Sequence, residues 1–122
     1  MRVARRLAKS ALIACALAAG CVADTTEQLE DEPCPEESEL TYENFGSAFV
    51  DSHCQRCHSS GAADRNGAPS SFTFDTVDDI RDHSERIFAR AAGDNRSMPP
   101  GPEDPPDEER AMLAEWLACG AP

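Results

Sequence analysis

The sequence is poor in basic residues and contains a single lysine, Lys9. Its 11 basic groups face 23 acidic groups over 122 residues, which gives a formal net charge of −12. A surface this acidic repels nucleic acid and anionic lipid headgroups, so neither is expected as a partner. The sequence also lacks the roughly 18 to 20 consecutive apolar residues that a membrane-spanning helix needs. It shows neither an internal repeat nor the strands of a βαβ unit.

Residues 1–20 have the features of a secretory signal peptide. A basic stretch, "MRVARRLAKS", precedes a short apolar stretch, "ALIACALAAG", that ends in small residues. The following cysteine completes "LAAGC", which resembles the bacterial lipoprotein signal and predicts a lipid anchor on Cys21 in the periplasm or outer membrane. Ordinary cleavage in the same region would instead leave a free soluble protein. In both cases the chain is exported.

Two regions are expected after the signal peptide. Its removal takes away four basic groups and no acidic one, so seven basic groups remain against 23 acidic groups and the formal charge becomes −16. Residues 21–39 are acidic and contain one leucine and no aromatic residue, which predicts a flexible tether because little apolar surface could be buried. Residues 40–122 are expected to form one small domain, for which a covalent cofactor would supply part of the core.

Three helical patterns indicate an all-α domain. The first begins at the N-cap Thr41 and runs to His58, and the second begins after Thr76, where Asp79 completes a capping box. The second ends at Gly93, with His83 as a candidate interruption, and the third follows "PEDPP" and ends at Gly120. The expected core comprises the apolar faces of these helices and two phenylalanines between them: Tyr42, Phe45, Phe49, Val50, Phe72, Phe74, Ile80, Ile87, Phe88, Ala91, Leu113, Trp116 and Leu117.

The stretch "HCQRCHSSG", residues 53–61, contains the motif C-x-x-C-H. With 6 cysteines and 3 histidines in the chain, this motif is expected by chance only about 0.007 times. If these residues form a helical turn, Cys54, Cys57 and His58 share one face. Two thiols on that face can add to the vinyl groups of a haem while the histidine ligates the iron, which is how c-type haem is attached.

These residues resemble those of class I c-type cytochromes, including the cytochrome c domains of bacterial exported lipoproteins. The resemblance implies a small helical domain wrapped around one covalent haem, with His58 and Met98 as the iron ligands. It also implies that Gly46 packs against Leu113 and Trp116 of the last helix. The implied function is electron transfer by a monomeric carrier, not an enzyme, that exchanges electrons with an unidentified redox partner protein.

The remaining cysteines are candidates for a disulfide. Cys15 leaves with the signal peptide, Cys21 takes the lipid, and the motif uses two more, so Cys34 and Cys119 remain. In an oxidising compartment these two thiols can pair, and the alternative is two unpaired, partly buried thiols.

Other interpretations of the motif stay open at this stage. Met98 could instead only cover apolar surface, which would leave the iron five-coordinate or ligated by His83. An iron with an open site would indicate a haem sensor or a peroxidase-like protein. A zinc module would use Cys54, Cys57 and either His58 or His53, and it would also need Cys34 and Cys119 as ligands. A thioredoxin-like centre would need a βαβ unit. His53 itself is expected to be solvated or close to a haem propionate. The sequence has Ala68-Pro69 where the family usually has Gly-Pro, which leaves open whether the Pro69 carbonyl region orients His58.

Overall fold

The computed structural model describes residues 27–122, so the signal peptide and Cys21 lie outside the described residues. One 3-10 turn, Leu29–Asp31, comes first, and a π-helical turn, Tyr42–Gly46, leads into α1, Ser47–His53. Four helices follow: α2, Gln55–His58; α3, Val77–Asp82; α4, Ser84–Ala91; and α5, Asp107–Ala118. This part of the chain contains no strand, which confirms the all-α prediction. None of its helices has the length and apolarity that a bilayer crossing requires.

The helix starts lie where the sequence predicts them. The Thr41 hydroxyl accepts from the backbone N–H of Asn44, and the Asn44 side chain accepts from the backbone N–H of Thr41. Thr76 and Asp79 form the same reciprocal pair at the start of α3. Each pair satisfies N–H groups that have no partner inside a helix. The first two predicted helices are each divided in the structure, at Cys54 and at His83, where the backbone leaves regular helical geometry.

The core lies between α4, α5 and the first helical segment, residues 42–58, which comprises the π-helical turn, α1 and α2. Trp116 is fully buried and its ring packs edge-on to Phe45, with ring centroids 6.1 Å apart. Nearly all the apolar residues expected in the core are buried, and the cluster consists of Phe45, Phe49, Val50, Phe74, Ile80, Ile87, Phe88, Ala91, Ala92, Leu113, Ala114, Trp116, Leu117 and Ala121. Tyr42 and Phe72 are partly buried against it.

Gly46 allows the first helical segment to approach α5 closely. A Cβ atom at this position would lie 2.9 Å from Cε2 of Trp116 and closer still to Cζ2 and Cη2. Such contacts are far inside van der Waals distance, so only glycine fits here without a shift of the indole ring. The structure therefore brings together Gly46 and Trp116 as the family resemblance implied.

We expect the substitution Gly46→Ala to lower the free energy of unfolding by about 2–3 kcal/mol, because the new methyl group must displace a buried ring. Chemical denaturation of the purified protein measures this difference. Gly61→Ala is the matched control, since its Cβ would meet only the Ser59 hydroxyl at 3.7 Å. Equal stabilities of the two variants would contradict the proposed collision.

The segment from residue 27 to residue 39 lies against the helical domain, which differs from the expected flexible tether. Leu29 packs on the core, and the 3-10 turn that contains it contacts α4 and α5. The Glu27 carbonyl accepts from Asn95 Nδ2 at 3.1 Å, and its carboxylate accepts from the Asp94 N–H at 3.2 Å. One leucine and a few specific hydrogen bonds thus hold a segment whose composition predicts disorder.

A disulfide and a hydrogen bond hold the same segment at the other end of α5. Cys34 and Cys119 are joined, with their Cα atoms 4.9 Å apart and a sequence separation of 85. The Ser38 hydroxyl donates to Glu115 Oε1 at 2.6 Å. The segment therefore runs along α5 and is fixed covalently where that helix ends.

Candidate functional site

The C-x-x-C-H motif forms one helical turn at the end of the first helical segment. The backbone N–H groups of Cys57 and His58 both donate to the Cys54 carbonyl, at 3.1 and 2.9 Å. This turn brings the three predicted haem-binding side chains of the motif together. Both thiols are free and half-buried, and burial raises the pKa of Cys54 to about 12. The Cys54 side chain is therefore a neutral thiol at physiological pH.

His58 presents one ring nitrogen as a ligand. Its Nδ1 lies 2.9 Å from the carbonyl oxygen of Phe72. Because a carbonyl can only accept a hydrogen bond, Nδ1 carries the proton and Nε2 retains its lone pair. The Pro69 carbonyl, considered above for this role, accepts instead from Arg65 at 2.8 Å. The acceptor that orients His58 is therefore the carbonyl of Phe72.

Phe74 covers the imidazole and closes the loop that follows the motif. Its ring stacks on His58 with centroids 4.5 Å apart and planes 15° apart. Its N–H donates to the His58 carbonyl at 2.9 Å, and its carbonyl accepts from Gln55 Nε2 at 2.6 Å. Both oxygens of Asp75 accept from the Ser60 N–H at 3.1 Å, and these hydrogen bonds lower the pKa of Asp75. Residues on the two sides of the loop are thus connected directly beside the motif.

Met98 lies in the loop of residues 92–106 between α4 and α5, apart from the motif in sequence, and its side chain is exposed. The residue as a whole is 39% exposed. Its backbone is nevertheless fixed, because the N–H donates to the Arg90 carbonyl at 2.8 Å and the carbonyl accepts from Arg110 Nη1 at 2.9 Å. The backbone of the predicted second ligand is therefore held while its thioether remains accessible.

Arg110 is a residue that the sequence interpretation missed. It belongs to α5, is fully buried, and uses Nη1 to donate to the carbonyls of Ala91, Asn95 and Met98 at 2.7, 3.2 and 2.9 Å. Burial lowers the pKa of its guanidinium, but arginine remains charged at physiological pH. Its position three residues before Leu113 puts it on the apolar face of α5, and that spacing is the signal that could have identified it.

The two remaining histidines are each engaged by other groups. His53 Nε2 donates to Glu109 Oε2 on α5 at 3.0 Å, so it forms an ion pair with α5 when protonated. The His53 side chain is only 19% exposed, which differs from the solvated position, one of the two positions expected for it. His83 Nε2 donates to the Ser71 carbonyl at 3.0 Å, and the imidazole stacks on Phe72 with centroids 4.6 Å apart. The nitrogen that would most readily ligate a metal in His83 is thus occupied.

The donor set next to the motif suits haem better than zinc. Within residues 27–122, no three His, Cys, Asp or Glu side chains are grouped so that they could hold a metal ion. Cys34 and Cys119 cannot complete a zinc site because they are bonded to each other. Two adjacent free thiols and one imidazole with an available Nε2 are what covalent haem attachment requires.

A comparison with protein families identifies a family model that matches the chain. The family model described as "Cytochrome C oxidase, cbb3-type, subunit III" matches residues 44–117, which is more than half of the chain. The matched range includes the motif, the loop of Met98 and most of α5. No curated protein and no solved structure matches the chain.

Proposed function

This chain belongs to the family of the cbb3-type cytochrome c oxidase subunit III domain, a monohaem class I cytochrome c-like domain, and from that membership we propose how its residues hold the haem. Domains of this family bind haem c covalently and transfer electrons. The proposed attachment residues are Cys54 and Cys57, and the proposed iron ligands are His58 and Met98. The proposed role is that of an electron carrier and not an enzyme, and membership in the family does not make the chain an oxidase subunit.

The observation that carries this proposal is the state of the His58 imidazole. Its Nδ1–H donates to the Phe72 carbonyl, so the lone pair of Nε2 is available for iron. The imidazole belongs to the same helical turn as the two free thiols. A zinc site would use the same tautomer, but Cys34 and Cys119 are bonded to each other and supply no second pair of ligands. A redox dithiol would not use the imidazole as a ligand at all.

Different residues of the chain would attach the haem, ligate its iron and shield it from water. When bound, haem c supplies a one-electron centre whose iron alternates between Fe(II) and Fe(III). Cys54 and Cys57 would hold it through thioether bonds, and His58 would ligate the iron through Nε2. A methionine as second ligand favours the reduced iron, because the soft thioether stabilises Fe(II) better than a second imidazole does. Apolar groups near the motif, such as Phe74, act in the same direction by limiting water.

We further propose that the protein is exported and lipid-anchored through Cys21. Cytochrome c domains of this kind are usually exported or membrane-associated. The bacterial lipoprotein signal around Cys21 supports the anchor, and the disulfide between Cys34 and Cys119 is consistent with an oxidising compartment. The acidic surface favours a redox partner with a basic or neutral docking face.

Mass spectrometry and a pyridine haemochrome assay test the attachment and the anchor together. The protein, expressed with the haem-attachment machinery and extracted from membranes, is expected to lack residues 1–20 and to carry one lipid group and one covalent haem. The double variant Cys54→Ala, Cys57→Ala should lose the haem and keep the lipid. Ser52→Ala is the control, because Ser52 is exposed on α1, two residues before the motif. A colourless wild-type protein would reject the haem assignment, and a haem-bearing protein without lipid would reject only the anchor.

Replacement of Met98 by alanine tests the second ligand. We expect the visible spectrum of His/Met ligation to disappear and the reduction potential to fall by on the order of 0.1 V, because a weaker or different ligand replaces the thioether. Met112→Ala is the control, since Met112 lies on α5 and packs against the core. An unchanged spectrum would remove Met98 from the ligand set and favour the open iron site, for which the exposure of Met98 is the supporting observation. In that case His83→Ala would show whether His83 ligates the iron.

A further inference from the structure

Arg65 lies in the loop between α2 and α3 and binds four backbone carbonyls of that loop. Its Nη1 donates to the Ser59 carbonyl at 2.7 Å, and its Nη2 donates to the Pro69 carbonyl at 2.8 Å and to the Phe72 carbonyl at 3.0 Å. Its Nε makes a longer contact, 3.4 Å, with the Ala68 carbonyl. A single guanidinium therefore joins the carbonyl of the first residue after the motif to three carbonyls that follow nine to thirteen residues later.

The carbonyl of Phe72 is shared between Arg65 and His58. It accepts from His58 Nδ1 at 2.9 Å and from Arg65 Nη2 at 3.0 Å, so its two lone pairs serve two donors. The hydrogen bond to Nδ1 sets the tautomer, the orientation and the basicity of a histidine ligand. The side chain that fixes this carbonyl in space therefore also controls how His58 faces the iron.

We propose that Arg65 is a positioning residue for His58. Its guanidinium holds the Phe72 carbonyl in place, so that this oxygen accepts the hydrogen bond from Nδ1–H and keeps the imidazole in its orientation. This inference rests on the proposed function, because it assumes that His58 ligates the haem iron. The rigid fork of the guanidinium matters here, since a lysine carries the same charge but cannot donate to three separated carbonyls in a fixed geometry.

The loop has other connections that do not depend on Arg65. The Phe74 N–H donates to the His58 carbonyl, and the Asp75 carboxylate accepts from the Ser60 N–H. These contacts keep the two sides of the loop together when the guanidinium is removed. Loss of Arg65 should therefore loosen the Phe72 carbonyl more than it loosens the base of the loop.

The substitution Arg65→Lys in the full, haem-loaded protein tests the inference. In the reduced, diamagnetic protein, NMR measures the hydrogen-exchange rates of the His58 Nδ1–H and of the Phe74 amide. We expect the Nδ1–H to exchange about five to ten times faster than in the wild type, with the Phe74 amide changed by less than about twofold. Arg56→Lys is the matched control, because Arg56 is an exposed arginine within the motif. It should change neither rate.

Three outcomes would overturn the inference. The Nδ1–H could exchange at the wild-type rate, or the Nδ1–H and the Phe74 amide could accelerate equally, which would indicate a merely structural role. Should the lysine variant fail to load haem, Arg65→Gln, which keeps one amide donor, is measured in the same way, and failure of both variants would also assign Arg65 to the fold. Failure of the proposed function is recognised separately: the wild-type spectrum would then show no iron-ligated His58.

Discussion

Replacement of Arg110 by methionine is expected to lower the free energy of unfolding by about 3–5 kcal/mol. The methionine fills much of the same volume but donates no hydrogen bond, so the carbonyls of Ala91, Asn95 and Met98 lose their shared donor in a buried site. Such carbonyls can regain partners only by moving toward water. The loop of residues 92–106 should therefore rearrange, and the absorption band of a Met–Fe(III) bond should weaken in the haem-loaded protein. Chemical denaturation and near-infrared spectroscopy measure the two effects.

The matched control for this prediction is Arg86→Met. Arg86 is exposed on α4, so its replacement should change the stability by no more than about 0.5 kcal/mol. A loss below about 1 kcal/mol for Arg110→Met would contradict the prediction, because it would mean that the three carbonyls are satisfied without the guanidinium. A large loss of stability with an intact Met–Fe(III) band would show that Arg110 stabilises the fold but does not hold Met98.

Removal of the disulfide is expected to have a similarly large effect. The double variant Cys34→Ser, Cys119→Ser should lose about 4 kcal/mol of stability, since the bond restricts an unfolded chain over 85 residues of sequence separation. The same variant should expose residues 27–39 to proteolysis, because only Leu29 and a few hydrogen bonds would still hold them. Denaturation curves and limited proteolysis provide the measurements.

Wild-type protein treated with a reductant is the control for the serine variant kept in the same reductant, so that the iron is reduced in both samples, and the two should have the same stability. Cys54 and Cys57 remain unchanged in both samples. The comparison therefore measures the effect of the disulfide between Cys34 and Cys119 alone. A stability loss below about 1 kcal/mol would show that the noncovalent contacts of the segment suffice.

The parts of the fold that could be predicted from the sequence depend on local signals. Thr41 with Asn44 and Thr76 with Asp79 satisfy neighbouring N–H groups, and a pattern three residues apart is enough to recognise a helix start. The apolar spacing on α5 likewise places Trp116 in the core because helical periodicity is a local property. The motif turn was predictable for the same reason: its three side chains lie within five residues.

The remaining features depend on contacts between distant residues. An arginine in an acidic helix start normally lies in solvent. The burial of Arg110 is favourable because its guanidinium donates to the carbonyls of Ala91, Asn95 and Met98 and lies 3.5 Å from the Asp104 carboxylate. The carbonyl that orients His58 belongs to Phe72, fourteen residues away, because Arg65 shapes the intervening loop. Composition gave no indication that residues 27–39 would lie on the domain, since their contacts are specific and few.

The attachment of Glu27 to the loop that also contains Met98 limits how far the protein could reach from a membrane. If Cys21 carries the lipid as proposed, six residue steps separate the bilayer surface from Glu27. A fully extended chain of that length spans at most about 20 Å, against about 60 Å for the longer tether that composition suggested. The domain would then stay close to the lipid, where acceptors seated in or on the same membrane are within its reach.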